Sequence, residues 1–311
     1  MKYYPERVLL PPLATINQAI ERGFREHGEG RVQMPAKVYV YFEKGDFRTM
    51  PASLPGLGIA GVKIVNVHPE NPMIGLPTVM ALTVILDPET GVPEAVLNAT
   101  LLTDLRTGAA GAVAAKYLAP KRSVTLGVIG SGRQAVAQVN AIAEVVEIEE
   151  MRVWSRTPTN AERFGAFFDA ISCTWGSIER ACDADLVVTT TPSRRPLVRT
   201  EWIHEGTHIN AIGADAPGKE ELDPALLSRA RVFVDDMEQA VHSGEVNVPI
   251  SAGLYSADEI AGTLGEVVCG RKRRETGEEV TVFDSTGLAV QDLAIAALVM
   301  ESDEGTELRF P

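Results

Sequence analysis

A glycine-rich hexapeptide, Gly130-Ser-Gly-Arg-Gln-Ala135, lies between a short apolar segment and a helical pattern. Gly130 permits a tight turn, Gly132 lets a ligand approach the backbone closely, and Ala135 allows the helix to pack against the strand. The start of such a helix offers N–H groups and the positive end of its dipole, which suit a pyrophosphate. In this strand–turn–helix context the hexapeptide predicts a dinucleotide-binding site; the alternative is a glycine turn that binds nothing.

The residues after the second predicted strand bear on which dinucleotide binds. An Asp or Glu at this point of the fold bonds the ribose hydroxyls of NAD and repels a 2′-phosphate. The segment Ser155-Arg156-Thr157 contains no acid. An arginine can pair with a phosphate, and the two hydroxyls can add hydrogen bonds. The pattern predicts NADP, with NAD possible; the alternative is that Arg156 is a solvated loop residue.

Three charged residues stand where charge is unusual. Lys63 interrupts an apolar strand pattern at 59–67, and Arg106 lies among small residues in a helical pattern at 100–118. Asp215 follows a short apolar strand, at the carboxyl edge where parallel sheets bind ligands. Each also has a purely structural interpretation: a lysine with only its stem buried, a surface arginine and a turn aspartate.

The elements that must position these residues follow two patterns. From 1 to 118, short alternating strands mix with helical stretches, which predicts an α+β domain. From 119 to 284, buried strands alternate with helices, as is typical of a doubly wound parallel sheet of the Rossmann kind. The segment 285–311 contains a last apolar helix, predicted to pack back on the first domain. The predicted fold class is therefore α/β, a Rossmann domain plus an α+β substrate and dimerisation domain made from the N-terminal segment and the C-terminal helix.

Several local predictions are specific enough to compare with the structure. The alternation of residue types predicts a short strand at 47–50 and a hairpin around the turn signal at 87–91. A helix is expected from about 134 to 146, after the glycine turn. The dense charge run at 271–279 is interpreted as a solvated loop before a strand.

Length and composition exclude several functional classes. A chain of 311 residues is long enough for two domains, and its net charge of −13 disfavours nucleic acid and anionic membranes as partners. It contains no apolar run long enough to span a membrane and no secretory signal. Three cysteines without close pairing argue against a disulfide framework and a zinc site, so no metal is expected and the predicted location is the cytoplasm.

Seven groups of motifs occur in an order that resembles the ornithine cyclodeaminase/mu-crystallin family over nearly the whole chain. This family includes ornithine cyclodeaminase, archaeal-type alanine dehydrogenase and ketimine reductases, and the resemblance implies a homodimer built through the non-Rossmann domain. The motifs are Arg48-Thr-Met-Pro51, Val62-Lys-Ile-Val-Asn66 with Pro69-Glu-Asn-Pro72, Gly75-Leu-Pro-Thr78, Leu102-Thr-Asp-Leu-Arg-Thr-Gly108, Ile129-Gly-Ser-Gly-Arg-Gln-Ala135, Gly213-Ala-Asp-Ala-Pro-Gly-Lys219 and Phe283-Asp-Ser-Thr-Gly287.

The resemblance implies roles for individual residues. It makes Arg48, Lys63 and Arg106 the clamp on the substrate α-carboxylate, with Thr286 as a further substrate contact. It makes Asp215 the acid/base, and Lys63 is taken as the second catalytic residue. The cofactor-binding set that combines the resemblance with the glycine turn is Thr83, Arg106, Gly130, Gly132, Arg133, Gln134, Ser155, Arg156, Thr157, Thr190, Gly213, Lys219 and Ser285.

The sequence departs from the cyclodeaminase pattern at two points. Cyclodeaminases tend to carry an acid beside the first arginine, where this chain has Thr49 and Met50, and an acid at the position of Ser155. The favoured function is therefore an NAD(P)-dependent oxidoreductase that interconverts an imine, or a 2-oxo acid plus ammonia or an amine, with a small α-amino or cyclic imino acid. The alternatives are a cyclodeaminase, which is an ammonia-lyase that recycles its NAD, and a non-catalytic NADP-binding protein.

Overall fold

The computed structural model describes residues 1–6, 10–302 and 304–309. The chain forms two compact units. Unit 1 comprises Met1–Arg106 and Leu288–Pro311, and unit 2 comprises Thr107–Gly287. The first division lies inside the segment 1–118 that the sequence assigns to one domain, and the second lies close to the predicted position between 284 and 285.

The helices and strands follow in chain order. Up to Leu118 they are β1 (Lys2–Tyr4), α1 (Leu13–Gly28), β2 (Val38–Phe42), β3 (Gly45–Leu54), β4 (Ile59–Val67), β5 (Val79–Leu86), β6 (Pro93–Asn98) and α2 (Thr100–Leu118). Between Ser123 and Asp284 they are β7 (Ser123–Ile129), α3 (Arg133–Ala143), β8 (Glu147–Trp154), α4 (Pro158–Phe167), β9 (Cys173–Trp175), α5 (Ile178–Cys182), β10 (Leu186–Thr189), β11 (Arg194–Val198), β12 (His208–Ala211), β13 (Glu220–Leu222), α6 (Pro224–Arg229), β14 (Arg231–Val234), α7 (Met237–Ser243), α8 (Asn247–Ser251), β15 (Gly262–Thr263), α9 (Leu264–Val268) and β16 (Thr281–Asp284). The chain then forms α10 (Ala289–Met300) and β17 (Thr306–Glu307).

Unit 1 contains a seven-stranded sheet and the helices α1 and α10. The strand order is β17-β1-β6-β5-β4-β3-β2, and every neighbouring pair is antiparallel except β1 with β6. Residues alternate between a buried and a less buried face along β3 and β4, as the two-residue period of a strand requires. Helix α10 packs on β3, β4 and β5, and α1 packs on α10. Because α10 is apolar almost all round, it is buried between neighbours rather than on a surface.

Strand β3 is longer than the sequence predicts, since it spans Gly45–Leu54 rather than 47–50. Pro51 ends the predicted strand because proline cannot donate a ladder hydrogen bond. In the structure β2 pairs with β3 only as far as Thr49, so Pro51 lies beyond that partner. The strand continues against β4, and on its other side only Ser53 forms a bridge, with Gln33, among the described residues. The predicted hairpin around 87–91 is confirmed as the antiparallel pair β5–β6.

Unit 2 contains an eight-stranded sheet in the order β15-β14-β16-β12-β10-β7-β8-β9, with every neighbouring pair parallel. Strand order runs outward in both directions from β7 and β10, which makes their boundary the topological switch point of a doubly wound sheet. Along β10, Leu186 and Val188 enter one apolar cluster and Val187 enters another. The predicted α/β fold with a Rossmann-like parallel sheet is confirmed.

Two details of unit 2 differ from the sequence-based expectations. Helix α3 ends at Ala143 rather than near 146. The charge run 271–279 is a loop, but it is not fully solvated, because Arg274 donates to the carbonyls of Leu118 and Gly206 at 2.7 and 2.6 Å. Arg274 therefore orders this segment through its hydrogen bonds to backbone carbonyls.

One buried histidine of unit 2 has a structural role. His208 is fully buried, its ring nitrogens lie 2.9 Å from Thr281 Oγ1 and 3.0 Å from Asn210 Oδ1, and burial lowers its pKa to about 3. It is therefore a neutral core residue rather than a proton carrier at neutral pH. None of the three cysteines forms a disulfide. Within the described ranges, the helices are too short or too polar to cross a membrane.

Candidate functional site

The first candidate site lies in unit 1 around Lys63. This residue is on the buried face of β4, and its side chain is 1% exposed. Its Nζ donates to Asp292 Oδ1 on α10 over 2.7 Å. Burial lowers the pKa of Lys63 to about 7, the Arg106 guanidinium lowers it as well, and Asp292 opposes both. A lysine in this state can change protonation near neutral pH.

Arg106 reaches the same carboxylate from α2. Its Nε lies 3.1 Å from Asp292 Oδ1, and its Nη1 donates to Gln291 Oε1 over 2.7 Å. Two buried cations therefore share one carboxylate oxygen. Two cations and one anion leave one net positive charge when Lys63 is protonated, and Asp292 Oδ2 has no hydrogen-bond partner among the described residues. Such a cluster is electrostatically suited to one further carboxylate.

Arg48, the third predicted clamp residue, lies on the same buried sheet face. It pairs across β3 and β4 with Val65, two residues along from Lys63. Its Nε donates to Asp46 Oδ1 over 2.8 Å, and its guanidinium stacks 5.2 Å from the Tyr39 ring centroid. Lys63 and Arg106 thus both contact the carboxylate of Asp292. Arg48 lies on the same sheet face as Lys63, but it pairs with a different carboxylate, that of Asp46.

The neighbours of Lys63 in the sheet are not charged. Met50 on β3 and Thr83 on β5 occupy the positions directly opposite Lys63, and both are buried. Thr83, predicted as a cofactor residue, therefore lies in unit 1 beside the cationic cluster. An apolar thioether and a hydroxyl next to the cations favour a ligand whose remaining part is small and uncharged.

Sequence reasoning missed Gln291 and Asp292, although they carry the hydrogen bonds of this cluster. The available signal was a pair of polar residues in an otherwise apolar helix, Ala289-Val-Gln-Asp-Leu-Ala-Ile-Ala. Both side chains are buried. Buried polar groups need partners, so the pair indicates an internal contact without saying where that contact is.

The second candidate site lies in unit 2 at the glycine turn after β7. Gly130 has a φ of +114°, and a Cβ on it would collide with Thr190 Oγ1, so only glycine fits this turn. Gly132 precedes α3 as its N-cap, makes no side-chain cap, and faces open space. Ala135 is fully buried, which lets α3 pack close to the sheet. The residues present fit a dinucleotide pyrophosphate, because the N-cap Gly132 places no side chain over the start of α3, where helix N–H groups can meet an anion.

The flanks of this turn carry further predicted cofactor residues. Arg133, at the start of α3, is exposed, and Gln134 is half-buried. Ser131 Oγ donates to Ser155 Oγ over 2.9 Å, which joins the turn to the end of β8. Arg156 and Thr157 are exposed. The described residues therefore present hydroxyls and a guanidinium, and no carboxylate, at the end of β8.

Asp215 lies in the loop after β12, four residues before Lys219. Lys219 Nζ donates to Asp215 Oδ1 over 2.5 Å, and both side chains are partly accessible. Asn247 orders this turn, since its Oδ1 accepts from Gly218 N and its Nδ2 donates to the carbonyl of Lys219. A carboxylate held by a lysine at the carboxyl edge of the sheet can exchange protons with a bound ligand.

The loop after β16 holds Ser285 and Thr286. Ser285 Oγ is buried and has no hydrogen-bond partner among the described residues, so it can serve a ligand. The hydroxyl of Thr286 instead donates to Asp235 Oδ1 over 3.0 Å. The structure therefore gives Thr286, a predicted substrate contact, a partner inside unit 2.

A further missed residue is Glu221, which lies on β13 and is fully buried. Its carboxylate accepts four hydrogen bonds from Thr189, Thr191 and Gly213. No local pattern separates this glutamate from its half-buried neighbour Glu220, because β13 is only three residues long.

The chain is similar to known proteins over nearly its full length. Residues 10–307 match the model of the ornithine cyclodeaminase/mu-crystallin family. An alanine dehydrogenase of Archaeoglobus fulgidus is 50% identical over 299 residues, which cover 94% of this chain and 92% of that protein.

Two solved structures have the same fold as this chain over nearly its full length. An archaeal alanine dehydrogenase dimer with bound NAD superimposes with a TM-score of 0.96 at 47% identity, covering 100% of this chain and 99% of that chain. The Thermococcus litoralis Δ1-pyrroline-2-carboxylate reductase in complex with NADH and L-proline gives a TM-score of 0.94 at 34% identity, covering 99% and 100% of the two chains.

Proposed function

The chain belongs to the ornithine cyclodeaminase/mu-crystallin family, and we propose that it interconverts a small neutral α-amino acid with its 2-oxo acid and ammonia. A cyclic imino acid is the other substrate form that this chemistry accommodates. It is an NAD(P)-dependent oxidoreductase of amino or imino acids. The observation that carries the substrate proposal is the pair of buried cations, Lys63 and Arg106, around the single carboxylate of Asp292.

The proposed reaction is amino acid + NAD(P)⁺ + H₂O ⇌ 2-oxo acid + NH₄⁺ + NAD(P)H + H⁺. The nicotinamide, when bound, accepts or supplies the hydride of the substrate α-carbon. Lys63 and Arg106 hold the substrate α-carboxylate, because Lys63 has three N–H donors and only one partner among the described residues. Fixing the carboxylate orients the α-carbon, and orientation is a large part of the rate of such a transfer.

Asp215 is the proposed acid/base. In the oxidative direction its carboxylate takes a proton from the attacking water, and in the reductive direction it returns a proton to the departing oxygen. Lys219 Nζ, 2.5 Å away, orients the oxygen of Asp215 that it contacts.

The first substrate pair to test is alanine and pyruvate. Met50 and Thr83 flank Lys63, and neither carries a charge that could form an ion pair with a distal ammonium or carboxylate. The expected result is stoichiometric oxidation of reduced cofactor with pyruvate and ammonia, and none with a substrate that lacks the carboxylate. Cofactor absorbance and ammonia are measured together. Conversion of ornithine to proline and ammonia at constant absorbance would establish a cyclodeaminase instead.

We propose that NADP(H) binds more tightly than NAD(H), since Ser155, Arg156 and Thr157 offer a cation and hydroxyls without an acid. We expect Arg156→Ala to weaken NADPH binding by about 10- to 100-fold and NADH binding by less than about twofold. Fluorescence titration of both cofactors measures this. The matched control is Arg163→Ala, which removes an exposed arginine from α4. Equal affinities of the wild-type protein for the two cofactors would contradict the proposal.

The pKa of Lys63, about 7 rather than its ordinary 10.5, predicts how substrate affinity changes with pH. The Lys63 side chain is protonated below about pH 7 and neutral above it. It therefore binds a carboxylate more strongly below pH 7 than above it. The inhibition constant of a non-reacting monocarboxylate should rise as pH increases from 6 to 9. In Lys63→Met the constant should be high and independent of pH over this range. A flat wild-type profile would show that Lys63 does not bind the carboxylate.

We propose that unit 1 forms a homodimer, as the resemblance to the family implies. Several apolar side chains of its sheet are exposed in the single chain, which is unusual for a surface without a partner. They are Val38, Val40, Tyr41 and Phe42 of β2 and Leu82 of β5. Light scattering after size exclusion should give twice the mass of one chain.

A further inference from the structure

Two loops at the carboxyl edge of the parallel sheet in unit 2 are held by one buried side chain. The loop after β10 contains Thr190, and the loop after β12 contains Gly213 and Asp215, all of them proposed site residues. Glu221 Oε1 accepts from Thr191 N at 2.6 Å and from Thr191 Oγ1 at 2.7 Å. Its Oε2 accepts from Gly213 N at 2.8 Å and from Thr189 Oγ1 at 2.7 Å. One oxygen of this carboxylate therefore accepts hydrogen bonds from the loop after β10. The other oxygen accepts from the loop after β12 and from the end of β10.

The two loops meet closely around this carboxylate. A Cβ on Gly213 would lie 2.5 Å from Glu221 Oε2 and would also collide with the backbone of Thr191. Only glycine lets the second loop approach the carboxylate and the first loop together. The absence of a side chain at Gly213 is thus tied to the position of Glu221.

The backbone of Glu221 is fixed in turn by a second buried acid. Glu245 Oε1 accepts from the backbone N–H groups of Glu221 and Leu222 at 2.8 and 2.6 Å. Both glutamate side chains are fully buried. Burying two carboxyl groups is costly unless each has partners, so their retention needs a reason beyond filling space.

We propose that Glu221 is a positioning residue that ties the loop after β10 to the loop after β12 and so shapes the nicotinamide half of the cofactor site. In a doubly wound sheet each half binds one mononucleotide. The adenosine half belongs to β7, α3 and β8, which leaves the loops after β10 and β12 for the nicotinamide half. This inference rests on the nicotinamide cofactor of the proposed function.

The decisive variant is Glu221→Gln, which keeps the shape of the side chain. Hydroxyl groups of Thr189 and Thr191 can rotate to accept a hydrogen bond, but the backbone N–H groups of Thr191 and Gly213 can only donate. Each of these N–H groups faces a different carboxylate oxygen. Whichever way the amide is turned, its NH₂ group faces one of them, and one of the two loops loses its anchor.

The test compares two ligands that share the adenosine half. NADH should bind Glu221→Gln about tenfold or more weakly than the wild-type protein, whereas ADP-ribose, which lacks the nicotinamide, should bind within about twofold. The kcat should fall while the KM for the 2-oxo acid changes little, because the carboxylate clamp is in unit 1. Unchanged NADH affinity, or an equal loss for both ligands, would overturn the proposal.

A control and a second variant keep the test decisive. Thr207→Val removes a buried hydroxyl at the amino end of β12, where it donates to the carbonyl of Ala184 at 3.0 Å, and should leave both affinities unchanged. If Glu221→Gln does not fold, Thr189→Val removes one of the four donors and should weaken NADH alone by about threefold. No loss of NADH affinity in that variant would overturn the proposal as well. Both titrations need no substrate, so missing activity with 2-oxo acids would contradict only the proposed function.

Discussion

Replacing Asp215 with asparagine is expected to lower kcat by about 100- to 10,000-fold, because a positioned acid/base contributes on this scale. The amide keeps the size of the side chain and its contact with Lys219, but it cannot take a proton from water at neutral pH. Cofactor affinity should be almost unchanged. Steady-state kinetics with saturating cofactor and a separate NADPH titration measure the two quantities.

The matched control for this variant is Asp223→Asn. Asp223 caps α6 by accepting from Ala225 N, and asparagine caps helices as well as aspartate does. This control removes a carboxylate from the same unit without touching the proposed chemistry, so its kcat should equal that of the wild-type protein. If Asp215→Asn keeps more than about a tenth of the wild-type kcat, Asp215 does not carry the proton.

Replacing Asp292 with asparagine is expected to reduce the free energy of unfolding by about 3–5 kcal/mol, because two buried cations lose their shared counter-ion. The melting temperature should fall by about 5–15 °C. The loss should grow as pH falls below about 7, since Lys63 is protonated in the folded wild-type protein only below that pH and its attraction to Asp292 exists only then. Thermal unfolding between pH 6 and 8.5 measures both the size and the direction.

Two further variants distinguish the effect of losing this ion pair from a general effect of replacing an aspartate on stability. Asp169→Asn changes an exposed aspartate and should leave the melting temperature unchanged. Adding Lys63→Met to Asp292→Asn removes the unpaired ammonium, so the double variant should be more stable than Asp292→Asn alone. If Lys63→Met changes the free energy of unfolding by the same amount in the wild-type protein and in Asp292→Asn, Lys63 and Asp292 are not coupled.

Much of the fold is determined by patterns that are local in the sequence. The turn at Gly130 depends on a strand, a glycine and a helix start that are contiguous, so its signal is complete within a dozen residues. The parallel sheet of unit 2 follows from buried strands alternating with helices, and the family from motifs preserved in order. The predicted β3 is shorter than the observed strand because the sequence does not show where β2 stops pairing. In the structure this pairing ends at Thr49, so Pro51 can lie in the strand without interrupting it.

The sequence by itself also marked Lys63, Arg106 and Asp215 as charges in unusual places, but it left each one open to a structural interpretation. The tertiary structure decided their partners. Asp292 lies 229 residues after Lys63, and Gln291 lies 185 residues after Arg106, so no helical or strand period relates them. Glu221 likewise gains its importance from donors on two loops that precede it in the chain. Local patterns show that a polar side chain is buried, whereas only the packing of distant segments determines which charge or N–H group it meets.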